Sequence, residues 1–315
     1  MESKLIVSAS PHIKLDENTQ GVMGWVVIAL IPTVFASIYL FGMRSLWIIL
    51  TCVITCVITE VVTNKFMLNK KAAKPNASPT ITGILLAFCL PPTTPLWMAA
   101  IGSFIAIFIV KQLFGGLGYN IFNPALAARA ILLASWPAAM TTWIKPVCSW
   151  AGSDAITSAS PLAIVKMKLV ETIPSYSQLF MGTIPGSLGE TCKLTLLIGA
   201  AILFLKKIID WRIPFTFIGV VALLSFAFGR DPLFEIFSGG IILGAFFMAT
   251  DMVTAPTSTT GKLIFGCGCG AITALIRNFG GFPEGVCYSI LFMNCLSPLI
   301  EKYARPKRFG LRRKA

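Results

Sequence analysis

The sequence predicts an all-α integral membrane protein of about ten transmembrane helices, arranged as two inverted repeats of five. Three observations carry this expectation. Of the 315 residues, 56% are hydrophobic and 12% charged, and the mean hydropathy is +0.80, a balance that a soluble core does not require. Apolar runs of about 20 residues, the length that crosses a hydrocarbon layer, recur along the chain. Ten of them would use roughly 200 residues and leave no room for a separate soluble domain. Finally, Gly83-Ile84-Leu85-Leu86 recurs as Gly240-Ile241-Ile242-Leu243 and Gly115-Gly116 as Gly280-Gly281, at separations of 157 and 165 residues. Five spans is an odd number, so the second copy has to be inverted relative to the first.

Residues 1–21 read as a polar cytoplasmic lead-in with Lys4, Lys14, Asp16 and Glu17, lacking the apolar core and small-residue cleavage site of a signal peptide. The first repeat occupies 22–140. Val22–Phe41 forms one span, interrupted only by Pro32, and Leu46–Phe66 a second. Glu60 falls in the last turns of the second span; an intramembrane carboxylate is a functional suspect, but beside Lys65 it reads equally as an interfacial residue. Thr80–Leu90 is apolar but stops at Pro91-Pro92, and eleven helical residues rise only about 16 Å, half of the hydrocarbon layer. Leu96–Phe114 is a full span carrying Lys111 near its end. A glycine-rich break follows, and Ala125–Met140 closes the repeat. The second repeat, 191–303, runs through Leu194–Ile209, Phe215–Phe228, Leu233–Thr250, Leu263–Phe279 and Val286–Ile300, before a basic tail at 304–315.

Charge orients these spans. Lys65, Lys70, Lys71 and Lys74 mark one loop, Lys206, Lys207 and Arg212 another, and seven Lys/Arg follow Ile300. With both termini inside, all three clusters fall on the cytoplasmic face, as the positive-inside rule requires. The same count puts 141–190 outside, a long polar connection with Trp143 and Trp150 as interface anchors. The net charge of +13 is therefore that of a chain anchored against anionic membrane lipid, which argues against a nucleic-acid partner. The nine cysteines form no C-x-x-C pair. Cys52, Cys56, Cys89, Cys267, Cys269, Cys287 and Cys295 lie in apolar runs, where cysteine acts as a small hydrophobe. Cys267 and Cys269 are about 200° apart around a helix and do not share a face. His12 is the sole histidine, which rules out a bis-histidine haem, and no metal site is expected.

One hydroxyl-rich stretch stands out within the outside connection, Asp154-Ala-Ile-Thr157-Ser158-Ala159-Ser160-Pro161-Leu162. Ser160 has small neighbours, and a residue before proline is pushed to extended geometry, so its hydroxyl is presented on a strand-like loop. By composition the stretch also suits an ordinary Ser/Ala/Pro connector. It resembles, however, the flavinylation motif of the D subunit of the Rnf complex and the B subunit of the sodium-pumping NADH:quinone reductase, Asp-x-x-Ser/Thr-Gly-Ala-Thr/Ser, often followed by Pro-Leu. Asp154, Thr157, Ala159 and Ser160 match; Ser158 stands where glycine is usual and Ser160 where threonine is commoner. The resemblance implies FMN joined through its phosphate to Ser160 by a flavin transferase that uses FAD, the step that an unmodified scaffold subunit would have lost.

Two further segments extend the resemblance. Gly115-Gly-Leu-Gly-Tyr-Asn120-Ile-Phe-Asn123-Pro124 is similar to the Gly-Gly-x-Gly-x-Asn-x-Phe-Asn-Pro segment of these subunits. With no strand before it, it is no dinucleotide fingerprint but a tight turn between buried helices. Ala249-Thr-Asp251-Met-Val-Thr-Ala255-Pro256 is similar to the family's Ala-Thr-Asp-x-Val-Thr-Ser-Pro, with Ala255 for serine. Asp251 reads either as a helix terminator or, with Lys111, Asn120 and Asn123, as part of an ion path or flavin cavity. The family implies a multi-pass subunit of the prokaryotic cell (inner) membrane, in a redox pump that passes electrons between ferredoxin and NAD and moves Na+ or H+. Partner subunits of the A, B, C, E and G types, covalent FMN, and room for a second, noncovalent flavin follow from it. This chain carries no NAD-binding or iron–sulfur spacing and no stand-alone catalytic site. A solute channel or transporter built on inverted repeats is the rival reading, and Ser160 is what separates the two.

Overall fold

The computed structural model describes residues 18–66, 76–146, 157–167 and 173–304. In the first half, α1 (Thr19–Phe41) and α2 (Met43–Phe66) are antiparallel neighbours joined through Gly42 alone, at φ +78°. α3 (Ser78–Cys89) starts on Pro79, whose fixed φ and missing N–H suit a first turn, and stops where Pro91-Pro92 force Leu90 to be extended. α4 (Leu96–Phe104) runs on without a break as a π-helix, Ile105–Gln112. α5 (Pro124–Ser135) and α6 (Pro137–Thr141) complete the half, divided at Pro137. In the second half lie α9 (Lys193–Leu205), α10 (Arg212–Ala227), α11 (Pro232–Phe237), α12 (Ile241–Leu243), α13 (Thr259–Phe279) and α14 (Val286–Tyr303). α12 also continues as a π-helix, Gly244–Met248. Helix dominates the chain, as predicted, and α1, α2 and α13 are each long and apolar enough to cross a membrane.

Three expectations need correction. The single span expected over Leu233–Thr250 is broken at Ser238-Gly239-Gly240, with Gly239 at φ +64°. Such a break inside a membrane protein leaves backbone groups to be satisfied by its surroundings, and here charged side chains do so. Arg277 donates to the Ser238 carbonyl at 3.1 Å, Lys193 to the Gly239 carbonyl at 2.8 Å, and the Gly240 N–H donates to Glu284 at 2.7 Å. The connection over 141–190 is not plain loop, because it contains α7 (Pro161–Met167) and α8 (Tyr176–Met181), the latter closed by a Ser175/Gln178 capping box. Glu60, for which the sequence suggested Lys65 as the neighbouring cation, is buried within the protein and ion-paired with Lys111 instead.

The two halves run in opposite directions. The N-terminal ends of α1, α3 and α5 gather at the same end of the molecule as the C-terminal ends of α9 and the second π-helix. The C-terminal end of α5 meets the beginnings of α9, α12 and α14 at the other end. The first helices of the two halves pack directly on each other, so closely that a Cβ on Gly199 would strike the Ala29 carbonyl. Gly266 and Gly270 likewise let α13 lie against the α10 backbone, the small-residue spacing typical of membrane helix pairs. Both glycine doublets noted in the sequence follow equivalent helices, Gly115-Gly116 after α4 and Gly280-Gly281 after α13.

Candidate functional site

Two cavities occupy the opposite ends of the helical body. The larger, about 450 Å³, is bordered by Ser160. A bridge pairs Ile144 with Thr157, and the Ser158 N–H donates to the Trp143 carbonyl at 3.1 Å, which fixes the approach of the motif strand. Ser160 then caps α7: its Oγ accepts the Ala163 N–H at 3.3 Å and its carbonyl the Ile164 N–H at 3.0 Å. α7 is tied down at its far end by Lys166, whose ammonium donates to the carbonyls of Phe282 at 2.6 Å and Ile276 at 3.3 Å. Desolvation, followed by the nearby Arg230 charge, holds Lys166 below the usual lysine pKa. Of the motif residues, Asp154 lies outside the described residues, Thr157 is exposed, and Ser158, Ala159 and Ser160 are half-buried. Ser160 and Ala159 border the cavity; Thr157 and Ser158 do not. Trp143, expected as an interface anchor, also faces it, as do Phe282 and Tyr288, whose rings stack 5.6 Å apart.

Behind these aromatics lies a charged wall that was not anticipated. Arg129 on α5 is buried, with one guanidinium nitrogen 3.3 Å from Glu190 and the other in direct contact with Glu284. Lys193, also buried, donates to the carbonyls of Glu190 and Gly239. Deeper in, Arg277 holds Glu235 at 2.8 Å, and Arg230 reaches the same carboxylate at 3.1 Å. A signal for these groups was present, since each is a charge inside or at the edge of an apolar run, and such charges are expensive and therefore informative.

The smaller cavity, about 130 Å³, lies at the other end, and Lys111, Asn120, Asn123 and Asp251 all line it. Three separate stretches thus converge as candidate residues. The Gly115-to-Pro124 segment is the expected tight turn, with Gly115, Gly116 and Gly118 at φ between +91° and +115°, values that favour glycine. Asn123 caps α5 by accepting the Ala125 and Leu126 N–H groups at 3.1 and 3.3 Å, while its amide donates to the Met248 carbonyl at 3.3 Å across the repeat boundary. Asn120 folds back onto the Phe122 carbonyl at 3.1 Å. Lys111 is buried between Glu60 and the Ser78 hydroxyl, the latter at 2.8 Å. Asp251 accepts the Thr254 hydroxyl at 3.2 Å, and among the described residues no cationic group lies within 4 Å of it. Both π-helices end at this cavity, in keeping with the frequent use of such turns at functional sites.

The larger cavity is of a size to hold an organic ligand. Its volume falls within the roughly 300–1,000 Å³ of organic ligand sites, Trp143, Phe282 and Tyr288 contribute aromatic rings to its lining, and the Ser160 hydroxyl borders it. Cys269 faces the core and Cys267 is exposed, so the pair diverges as the helical spacing requires.

Similarity to known proteins places the chain in a family. Residues 6–310 match the model of the NQR2, RnfD, RnfE family. The chain is 48% identical, over 98% of its length and 96% of the relative's, to the D subunit of the proton-translocating ferredoxin:NAD(+) oxidoreductase complex of Clostridium ljungdahlii. It is 45% identical, with the same coverage, to the D subunit of the Na(+)-translocating complex of Acetobacterium woodii. Over 93% of the chain it is 38% identical to the D subunit of the ion-translocating oxidoreductase complex of Stutzerimonas stutzeri. With a match spanning nearly its whole length, this membrane protein belongs to the NQR2, RnfD, RnfE family.

Proposed function

We propose that the chain is the D subunit of an ion-translocating ferredoxin:NAD oxidoreductase complex, and that Ser160 carries FMN as a phosphoester. The oxidoreductase character and the need for other subunits of the complex come with the close relatives; the cofactor rests on the site. The observation that carries it is selective. Of the motif's described hydroxyls, only Ser160 opens on a cavity of flavin size with aromatic walls.

Attachment forms a bond between Ser160 Oγ and the FMN-side phosphorus of FAD, breaks the pyrophosphate, releases AMP, and passes the hydroxyl proton to a base of the transferase. Ser160 has the small flanks that such an enzyme needs, Ala159 and Pro161. When bound, the flavin supplies electron transfer. The chain's own residues supply the attachment point, the ring-sized cleft, and the exclusion of water by Trp143, Phe282 and Tyr288. At the other end Lys111, Asn120, Asn123 and Asp251 form a polar cluster in a mostly apolar chamber, a place suited to an ion and its water. A second, noncovalent flavin there would require the chamber to widen from about 130 Å³ towards the roughly 300 Å³ at which organic ligand sites begin. The coupling ion does not follow from similarity, because relatives at 48% and 45% identity are named for different ions.

The test is coexpression with the flavin transferase, followed by in-gel fluorescence and peptide mass. Wild type and Ser160→Thr should carry an added FMN on the peptide containing residue 160, and Ser160→Ala should carry none. A fluorescent Ser160→Ala would move the flavin elsewhere; a dark wild type would end the flavoprotein reading and favour the permease.

A further inference from the structure

The buried ion cluster behind the Ser160 cavity is used by neither attachment nor capping. Arg129, Glu190, Glu284 and Lys193 border the cavity together and come from four separate places: α5, the segment before α9, the segment before α14, and the start of α9. Burying an ion costs several kcal/mol even when it is paired, and a well-packed apolar substitute is often as stable. Stability alone therefore does not account for four such groups around one cavity. Charge bookkeeping is more informative. Two cations face two carboxylates, so the wall is neutral only while both carboxylates remain ionised. Arg129 is the cation they share, since its two guanidinium nitrogens reach one carboxylate each. The remaining neighbours cannot replace it. Lys193 is directed at the backbone carbonyls of Glu190 and Gly239, Arg277 is engaged by Glu235 and Ser238, and the thiols of Cys89 and Cys287 are neutral packing groups.

We infer that Arg129 is a positioning residue that holds the charge of this wall and so sets the reduction potential of the group at Ser160, limiting proton uptake by Glu190 and Glu284. The inference rests on the flavin assignment at Ser160. An electron arriving in the cavity adds one negative charge beside the wall. With Arg129 present, Glu284 stays ionised, and Glu190, pushed up to about 7 by burial and by the neighbouring Glu284, is the carboxylate of the wall that takes up a proton first. Without it, neither carboxylate has a cation in contact, since Lys193 is held by backbone carbonyls, and proton uptake from solvent accompanies the electron over a wider pH range.

The experiment is spectroscopic redox titration with dithionite of the full chain, coexpressed with the transferase, across a pH series. In-gel fluorescence of each preparation comes first, so that a missing flavin counts against the Ser160 assignment and not against Arg129. Arg129→Gln should lower the reduction equilibrium constant at high pH by at least tenfold, or 59 mV for a one-electron couple. The deficit should shrink as pH falls, and the variant's pH dependence should set in at higher pH than that of wild type, in which Glu190 is already raised to about 7. Arg129→Lys should restore most of the wild-type value. If Arg129→Gln does not fold, Glu190→Gln and Glu284→Gln decide, because each removes a negative charge and should shift the equilibrium in the opposite direction. Flavin-bearing variants whose potentials track wild type at every pH would overturn the inference.

Discussion

The two cavities are built by related halves of one chain, yet their charges are handled in opposite ways. Around the Ser160 cavity every described carboxylate has a cation: Arg129 serves Glu190 and Glu284, and Arg277 serves Glu235. The Arg129–Glu284 pair also binds the halves together, since Arg129 belongs to the first and Glu284 to the second. Around the Asp251 cavity the buried cation, Lys111, is engaged within its own half by Glu60, and Asp251, which accepts the Thr254 hydroxyl, has no cation within 4 Å among the described residues. A closed charge balance suits a fixed organic group that must not be followed by ions. An acid left with a hydroxyl beside two asparagines suits something that comes and goes.

Membrane sidedness is the most direct check on this contrast, because it decides whether the cavities face opposite compartments. Thr19 and Ser177 are exposed and belong to the two opposite ends. In an otherwise cysteine-free background, Thr19→Cys and Ser177→Cys should react all-or-none with an impermeant maleimide from opposite sides, Ser177→Cys from outside. Labelling of both from one face would remove the inverted topology and the separation of the two chambers with it.

A smaller effect should distinguish the two kinds of ion pair. Lys111→Met strands Glu60, and Glu60→Gln strands Lys111. Loss of one partner of a buried pair typically costs about 3–5 kcal/mol. The double variant Lys111→Met/Glu60→Gln should recover a large part of that loss in a thermal-shift assay, because no charge is then left unpaired. Flavin attachment at Ser160, at the far end, should be unchanged in all three. Loss of the flavin would mean that the chambers are coupled and that the contrast between them is too simple.

Much of this architecture was legible in the sequence. Hydropathy located the helices, and Pro91-Pro92, Pro124 and the Gly115–Gly118 turn marked their limits, because proline and glycine act through the local backbone. The candidate residues Lys111, Asn120, Asn123 and Asp251 were each visible in a short segment, and the fold brought them to one chamber. What stayed hidden was pairing across distance. Arg129 and Glu284 are 155 positions apart, and no local pattern states that they meet. The break at Ser238–Gly240 escaped for the same reason: an apolar run with two glycines reads as one span until Arg277, Lys193 and Glu284 are seen to satisfy its exposed backbone. Glu60 looked interfacial because Lys65 is near in sequence, whereas its partner Lys111 is near only in space.

The smallest effect concerns Asp251, whose two readings differ in what its carboxylate does. As a helix terminator it needs only its backbone: the carbonyl accepts the Ala255 N–H at 3.1 Å, and Pro256 blocks continuation of the helix. Asparagine preserves all of that and can still accept from Thr254, so a structural role predicts unchanged folding and unchanged transport. As a cation-binding group, the carboxylate supplies a full negative charge to a chamber whose only other described charges are the mutually paired Lys111 and Glu60. Asp251→Asn then removes the net negative charge without altering shape. The expected outcome in vesicles is a partial loss of ion transport per electron, several-fold at low ion concentration and smaller at high concentration, with in-gel fluorescence at Ser160 intact. Concentration dependence is the discriminating feature, because a weakened binding site is refilled by mass action and a distorted helix end is not. Transport equal to wild type at every concentration would leave Asp251 as the helix terminator and return the smaller chamber to Lys111 and the asparagines.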